Sequence, residues 1–525
     1  MVSSVWRAAV LSSLFTGAAQ AQTRDWSPED RAIIGDFTRI TAVATSTDRV
    51  FASTPTAVIA WDPLARRWQG PWQPRDPTAL NDVFLAFADP LDGGLWLVRR
   101  GGWLRFDPGI QLWEQGTVPG AVVDAALDQD APGSGLFLRT GSGWFTASRG
   151  GAAFPSGAPR RPVRASSLDE AIRSNPAIQA NSASLLFGSR LRNVRYTAVA
   201  RAQGFTGIGW YLGTSGAGLV CFADGAGLPE LLSYGLPSEV VAALFAGTGG
   251  VWAVTERTQI ADPGLTFVGS TLGEFRSLQG PRATGLPFTE ARRVVGRESD
   301  LWLATDGGVI RLSARTGDAE RYDEGRGLPD ARVLSLAQWR GRIVAGTAHG
   351  LAAYVDSAGF RRLAPAFSDA AYAVALSGDT TWVGTRVGLF AALPGEPDLL
   401  QPDALRESIS LQAPVVALTW RADTLVALLE DRLLWRNPGT GRFALGPLLG
   451  STLGRLHTVI NGARGLYIAG DRGVGLAGIT TPLRRPLTAP GDLPGQVTDI
   501  AVDDTYLWVA TLRGLVRLRL DVIGQ

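Results

Sequence analysis

Leu301-Trp302-Leu303-Ala304-Thr305-Asp306-Gly307-Gly308-Val309 is the stretch on which the fold turns. Its first five residues are a near-continuous apolar run, the composition of a strand buried on both faces. Asp306-Gly307-Gly308 then reads as a turn in which glycine permits positive φ. From Val309 to Ala314 apolar and polar residues alternate, as in a returning strand. Working outward, Ala291 to Gly296 forms a short apolar strand before this pair, and Glu320 to Tyr322 an outer strand after it. Residues 288–327 therefore read as one four-stranded antiparallel unit, with strands A, B, C and D in chain order. Gly327-Leu328-Pro329 leads into the next unit, and Gly235-Leu236-Pro237 and Asp492-Leu493-Pro494 occupy equivalent places. Proline suits the start of a strand because it lacks a donor and fixes φ.

The same phrase recurs along the chain. Its apolar, usually aromatic centre falls at Phe51, Trp96, Phe137, Tyr211, Trp252, Trp302, Val344, Trp382, Val426, Tyr467 and Trp508. Successive spacings are 45, 41, 74, 41, 50, 42, 38, 44, 41 and 41 residues. A period of roughly 40 residues in strand-like units is the mark of β-propeller blades. The expected fold is all-β, a propeller of eleven repeats. A single ring usually holds roughly four to eight blades, so two rings are expected, four or five blades followed by six or seven; one large ring is the alternative. The expected division is N-terminal repeats over 22–235 and C-terminal repeats over 236–525. Wedge-shaped sheets stacked about an axis leave apolar faces between neighbours, which assigns Trp302, Trp382 and Trp508 to packing.

Two places break the period. The gap between Phe137 and Tyr211 holds an insertion, taken as residues 157–195, in which Ser167-Leu168-Asp169-Glu170 resembles a helix N-terminus and Pro176 interrupts a long helix. It reads as a loop insertion with a short helix rather than a twelfth blade. The last unit stops after its third strand, whereas residues 25–36, with Trp26 and Ala32-Ile33-Ile34, precede the first strand A and have no place. That segment is expected to complete the last blade and close the ring.

The chain has 525 residues, 45% apolar and 19% charged, with 64 Gly and 31 Pro to supply turns. Fifty basic residues, all Arg, balance 48 acidic ones to a net charge of +2. Without lysine, Schiff-base chemistry is excluded. The arginines form no stripe, so nucleic acid is not an expected partner. Residues 1–21 read as a secretory leader: Arg7, an apolar run from Ala8 to Ala18, and Ala19-Gln20-Ala21 for cleavage. That run is too short to span a bilayer. The mature protein is thus expected in the periplasm or outside the cell, without membrane insertion. The single Cys221 precludes an internal disulfide and reads as a small hydrophobe in a strand.

Gly-Leu-Pro-x-x-x-Val, then a strand, then Leu-Trp-hydrophobic-Ala/Gly-Thr-x-x-Gly-Leu is similar to the two-component regulator propeller repeat. Good copies run from Gly327 to Leu351, Thr381 to Leu389 and Leu493 to Leu515. The resemblance spans about residues 37–525 and is stronger in the C-terminal half. It implies a periplasmic ligand-sensing propeller. No kinase or DNA-binding module is legible here, so it implies fold, export and a binding role.

Only two histidines exist, His349 in a B–C turn and His457 in a strand A, which excludes a histidine-rich metal site. No Gly-x-Ser-x-Gly elbow accompanies either one. No cofactor is expected. In a propeller the B–C turns and D–A loops share one face, and their variable positions carry Arg100, Arg257, His349, Arg386, Arg472 and Arg513, with Asp306, Glu430 and Asp431 among them. Converging guanidinium groups could hold a carboxylate, sulfate or phosphate bidentately. Ordinary solvated turn residues are the competing reading. The expected function is non-enzymatic binding of an anionic ligand, glycan or protein through this face. The alternatives are a polysaccharide lyase or glycosidase with a site in a central channel, and an assembly factor of the cell envelope.

Overall fold

A computed structural model describes residues 26–523 apart from 182–183, 188–191, 205–206, 208, 225–227, 258–263, 280–290, 298, 357 and 401–412. The leader read at residues 1–21 lies outside the described residues. The rest forms eleven antiparallel sheets, most of them four-stranded meanders. The unit derived around Trp302 comprises Ala291–Arg297, Asp300–Thr305, Gly308–Ser313 and Ala319–Tyr322, paired in that order. Each of the eleven phrase centres falls in a strand B, from Phe51 in Val50–Ser53 to Trp508 in Tyr506–Thr511. Strand B is sealed on both faces: Leu301, Trp302, Leu303 and Ala304 are all at most 3% exposed.

The tryptophans pack between neighbouring sheets. Trp302 stacks on Tyr322 of its own sheet, with ring centroids 5.9 Å apart, and meets Tyr354 of the next sheet edge-on at 4.7 Å. Burying so large a side chain at each joint supplies much of the cohesion between sheets. An arginine on strand C stands opposite the tryptophan in three sheets, as Trp96↔Arg105, Trp302↔Arg311 and Trp508↔Arg517. In the first two the guanidinium lies over the indole, at 5.4 and 5.8 Å, and is neutralised by Asp92 and Asp300 respectively.

The N-terminal segment closes the last sheet. Arg31–Ile34 pairs antiparallel with Gly514–Arg519, from Arg31↔Leu518 to Ile34↔Leu515. Ile34 is fully buried, and Arg31 donates to the carbonyl of Asp492 at 2.9 Å. The last blade thus takes its outer strand from the other end of the described chain.

The insertion is richer than one short helix. It holds helices Leu168–Ser174 and Pro176–Ala180, separated at Asn175, whose side chain caps the second by accepting from the N–H groups of Ala177 and Ile178. Ser167 caps the first in the same way, accepting from Glu170. Pro162–Val163 adds a strand to the inner edge of the third sheet, and Ser184–Phe187 adds one to the fourth. No twelfth sheet forms among the described residues.

Inner strands lie side by side in chain order from the fifth sheet to the eleventh, and the eleventh returns to the fifth. There the N–H of Leu244 donates to the Asp499 carboxylate at 2.9 Å, and the Thr498 hydroxyl donates to the carbonyl of Val241 at 2.5 Å. Likewise the inner strand of the fourth sheet lies against the first, where Thr197 donates to the carbonyl of Ile40 and Thr45 to that of Arg201, both at 2.7 Å. One apolar cluster joins the two sets, with Val43 and Val50 of the first sheet, Tyr211 of the fourth, Val251 of the fifth and Trp508 of the eleventh. Tyr234 packs within it, stacked on Phe37 at 5.4 Å, tilted against Trp68 at 5.0 Å and edge-on to Phe275 at 4.5 Å.

Candidate functional site

The B–C turns share one construction. Thr305 accepts from the N–H of Gly307 at 3.1 Å and donates to the carbonyl of Gly308 at 2.7 Å. Thr347, Thr385 and Thr511 repeat this with Gly350, Gly388 and Gly514 at 2.9, 3.0 and 2.7 Å. A short hydroxyl side chain can bridge a tight turn in this way, which is why the repeated phrase carries Thr three residues before Gly. Gly308 has φ +120, and a Cβ there would meet the carbonyl oxygen of Tyr322 at 2.1 Å. Threonine and glycine are therefore consumed by turn geometry, and the two residues between them are free to face outward.

Antiparallel pairing sets which face they share. Each strand A begins beside the end of its strand B, as in Ala291↔Thr305, Val333↔Thr347 and Val497↔Thr511. All the B–C turns of these sheets therefore emerge where the D–A connections arrive.

Arg100, His349, Arg386, Arg472 and Arg513 lie in turns, whereas Arg257 follows strand Gly250–Thr255 and directly precedes residues outside the described set; the six are not equivalent. Arg100 is in the second sheet, and the other five are in the fifth to eleventh. His349 is committed to the neighbouring connection, with Nδ1 2.5 Å from Asp330 Oδ2. Asp330 is half-desolvated, which opposes ionisation, yet the His349 contact and the N–H of Arg332 hold its carboxyl below the usual range. Arg472 donates to the carbonyls of Gly450 and Ser451 at 3.2 and 2.8 Å, tying its turn to the helix Gly450–Leu453. Around Arg513 the N–H of Gly514 donates to the carbonyl of Glu239. Arg100, Arg257, Arg386 and Arg513 are exposed, and no hydrogen bond or ion pair joins any two of the six among the described residues. Acidic turn residues are paired too: Asp306 with Arg292 at 2.9 Å and Glu430 with Arg455 at 2.7 Å. The face therefore carries side chains of both signs, several of them already paired.

A second constellation escaped the sequence reading. Asp499, 3% exposed, accepts from the guanidinium of Arg293 at 3.0 Å and the hydroxyl of Thr458 at 3.1 Å as well as from Leu244. These residues come from the inner strands of the fifth, sixth, tenth and eleventh sheets. His457 stands beside them, donating from Nε2 to the carbonyl of Val497 at 3.1 Å. Burial holds the His457 imidazole below its usual pKa, helped by the Arg293 charge and opposed by Asp499. A carboxylate engaged by a backbone N–H, a guanidinium and a hydroxyl is committed to holding four strands, which gives a channel hydrolase no support. The sequence signal was the presence of charged residues, Arg293 and Asp499, within strands A.

Cys221 lies in Leu219–Ala223 opposite Tyr211, half-buried, and burial raises its thiol pKa, so it is a packing residue in its strand. No group of three or more metal-ligating side chains assembles among the described residues, and no helix there is long and apolar enough to cross a membrane.

No family model matches the chain, and no curated protein matches it. Among solved structures, it is similar to PorZ, an essential bacterial surface component of the type-IX secretion system of Porphyromonas gingivalis. That likeness has a TM-score of 0.45 at 13% identity and covers 95% of this chain and 73% of that one. It is also similar to two extracellular domains from B. thetaiotaomicron assigned to hybrid two component systems. With BT3049 the TM-score is 0.45 at 12% identity over 92% of this chain and 68% of that one. With BT4673 it is 0.41 at 13% over 92% and 64%. These likenesses carry no statement about ligand or activity.

Proposed function

We propose that the chain is an exported, non-enzymatic propeller that binds an anionic ligand, glycan or protein through the face bearing its B–C turns. The observation that carries this reading is Arg386. It is exposed at the tip of a turn whose Thr385–Gly388 frame leaves it no structural task, while its neighbour His349 is already engaged by Asp330. Arg513 is exposed on a turn of the same frame. Among the described residues Arg386 has no carboxylate partner, and an exposed guanidinium in that state keeps its five donors for a ligand. The mixed signs around it suit an extended glycan or a protein surface, which meets many weak contacts, better than a lone phosphate. Export rests on the leader read at residues 1–21, and the sensor-like role on the repeat resemblance.

The test is a titration of the full chain with a fluorescein-labelled sulfated disaccharide and with a poly-glutamate peptide. Replacing Arg386 and Arg513 together by Ala is expected to weaken binding by about tenfold, the loss of one or two charge-assisted hydrogen bonds. Unchanged affinity for both probes in the double variant would reject this face.

A further inference from the structure

His457 lies in the inner strand Leu456–Gly462 of the tenth sheet, with both ring nitrogens against oxygen atoms. Nε2 is 3.1 Å from the carbonyl of Val497 in the eleventh sheet, and Nδ1 is 3.1 Å from Oγ1 of Thr458. Oγ1 of Thr458 is in turn 3.1 Å from Oδ1 of Asp499, again in the eleventh sheet. Thr458 and Asp499 are 5% and 3% exposed, so their hydrogen bonds have to be made within the protein.

Counting protons along this row fixes what each group can do. A carbonyl only accepts, so Nε2 carries a hydrogen. The Asp499 carboxylate, ion-paired with Arg293 at 3.0 Å, only accepts as well. Thr458 has a single hydroxyl proton for two neighbours. With His457 neutral, Nδ1 is a bare acceptor that competes with Asp499 for that proton. The carboxylate is the stronger acceptor, and Nδ1 is left facing a lone pair. With His457 doubly protonated, Nδ1 donates to Thr458, Thr458 donates to Asp499, and every group in the row is satisfied.

The surroundings decide when that proton enters. Burial is the largest influence and opposes it, as does the Arg293 guanidinium from the sixth sheet. Asp499 favours it, as does Asp471 from the B–C turn of the tenth sheet. Arg455, two residues before His457, is engaged by Glu430 of the ninth sheet at 2.7 Å. At matching positions the inner strands of the fifth and ninth sheets bring only Val241, Ala242 and Ala243, and Val415, Val416 and Ala417. The imidazole is therefore held below the ordinary range of histidine, and the row offsets only part of the cost of burying its charge.

We propose that His457, Thr458 and Asp499 form a proton-operated latch between the tenth and eleventh sheets. Acid loads His457 with a proton from solvent, the Thr458 hydroxyl is then committed to Asp499, and an unbroken row of hydrogen bonds grips the eleventh sheet at both Val497 and Asp499. Release of the proton breaks the row at Nδ1.

Nitrogen NMR of the imidazole groups in the full chain tests this, since only two histidines contribute and His457→Gln assigns them. Neutral His457 should carry its hydrogen on Nε2, and acidification should add the Nδ1 hydrogen. Thr458→Val keeps the side-chain shape and removes the hydroxyl. It should lower the proton affinity of His457 by about tenfold, the worth of one hydrogen bond to a charged group. Thr458→Ser should restore the wild-type titration. If Thr458→Val fails to fold, the wild-type chain decides alone, through the neutral tautomer and a slowly exchanging Nδ1 hydrogen that appears in acid. An unchanged titration in Thr458→Val, or a neutral tautomer with its hydrogen on Nδ1, would overturn the proposal.

Discussion

At the scale of the residue, each position of the repeated phrase has its own physical task. Trp302 fills the joint between two sheets, and truncating it to Ala would leave a void in a site that cannot collapse. A loss of about 3–5 kcal/mol is expected from that void. Gly308 is required because its φ is +120 and a side chain would strike the Tyr322 carbonyl. Gly308→Ala should therefore destabilise by more than about 2 kcal/mol in denaturant titrations, beyond the ordinary cost of a surface change. Ala at neighbouring Gly307 should cost far less. His457 makes a prediction about pH. Its imidazole is held below the ordinary value in the folded chain, chiefly by burial. The unfolded chain therefore takes up a proton near pH 6.5 while the folded one stays neutral. This contribution to stability is intact above that pH and is lost as pH falls toward the folded value, with a slope of at most about 1.4 kcal/mol per pH unit. His457→Gln should flatten that part of the stability profile between pH 7 and 5; an unaltered slope would contradict the assignment.

At the scale of the element, the notable strand is Arg31–Ile34. It is four residues long and could not persist alone, yet it completes the last sheet by pairing in register with Gly514–Arg519. Its burial removes an exposed sheet edge and covers Trp508 and Leu515, which share a cluster with Ile34. Deleting residues 23–36 should lower the melting temperature by many degrees, because the edge of the eleventh sheet and part of the core between sheets would both be opened. Calorimetry that finds the same transition would remove the closing role. The insertion teaches the complementary lesson. Its capping residues Ser167 and Asn175 were in plain view in the sequence, and the break at Pro176 was anticipated. The strands Pro162–Val163 and Ser184–Phe187 were not, because each is stabilised by an existing sheet edge and has little periodicity of its own.

At the scale of the molecule, the inner strands suggest a closed set of four sheets followed by a closed set of seven. We propose this grouping from the returns of the fourth sheet to the first and the eleventh to the fifth. It makes a concrete prediction. Residues 236–525 expressed alone should be poorly stable, and fusing residues 26–36 after residue 525 through a flexible linker should restore a cooperative transition. A fragment that melts identically with and without that strand would oppose the grouping. The Tyr234 cluster and the residues of the first and fourth sheets packed on it mean that even the repaired fragment should melt below the whole chain.

The sequence by itself determined the repeat, the register of strand B, the Thr-x-x-Gly turn and the placement of the turn residues on one face. Those follow from local rules, a period of two along a strand and the conformational freedom of glycine, which short stretches of chain express. Only the tertiary structure decided what those turn residues touch. The pairing of His349 with Asp330 and the burial of Asp499 among four strands both depend on which strands and connections come together. Those contacts join residues up to hundreds of positions apart, and no local pattern encodes them.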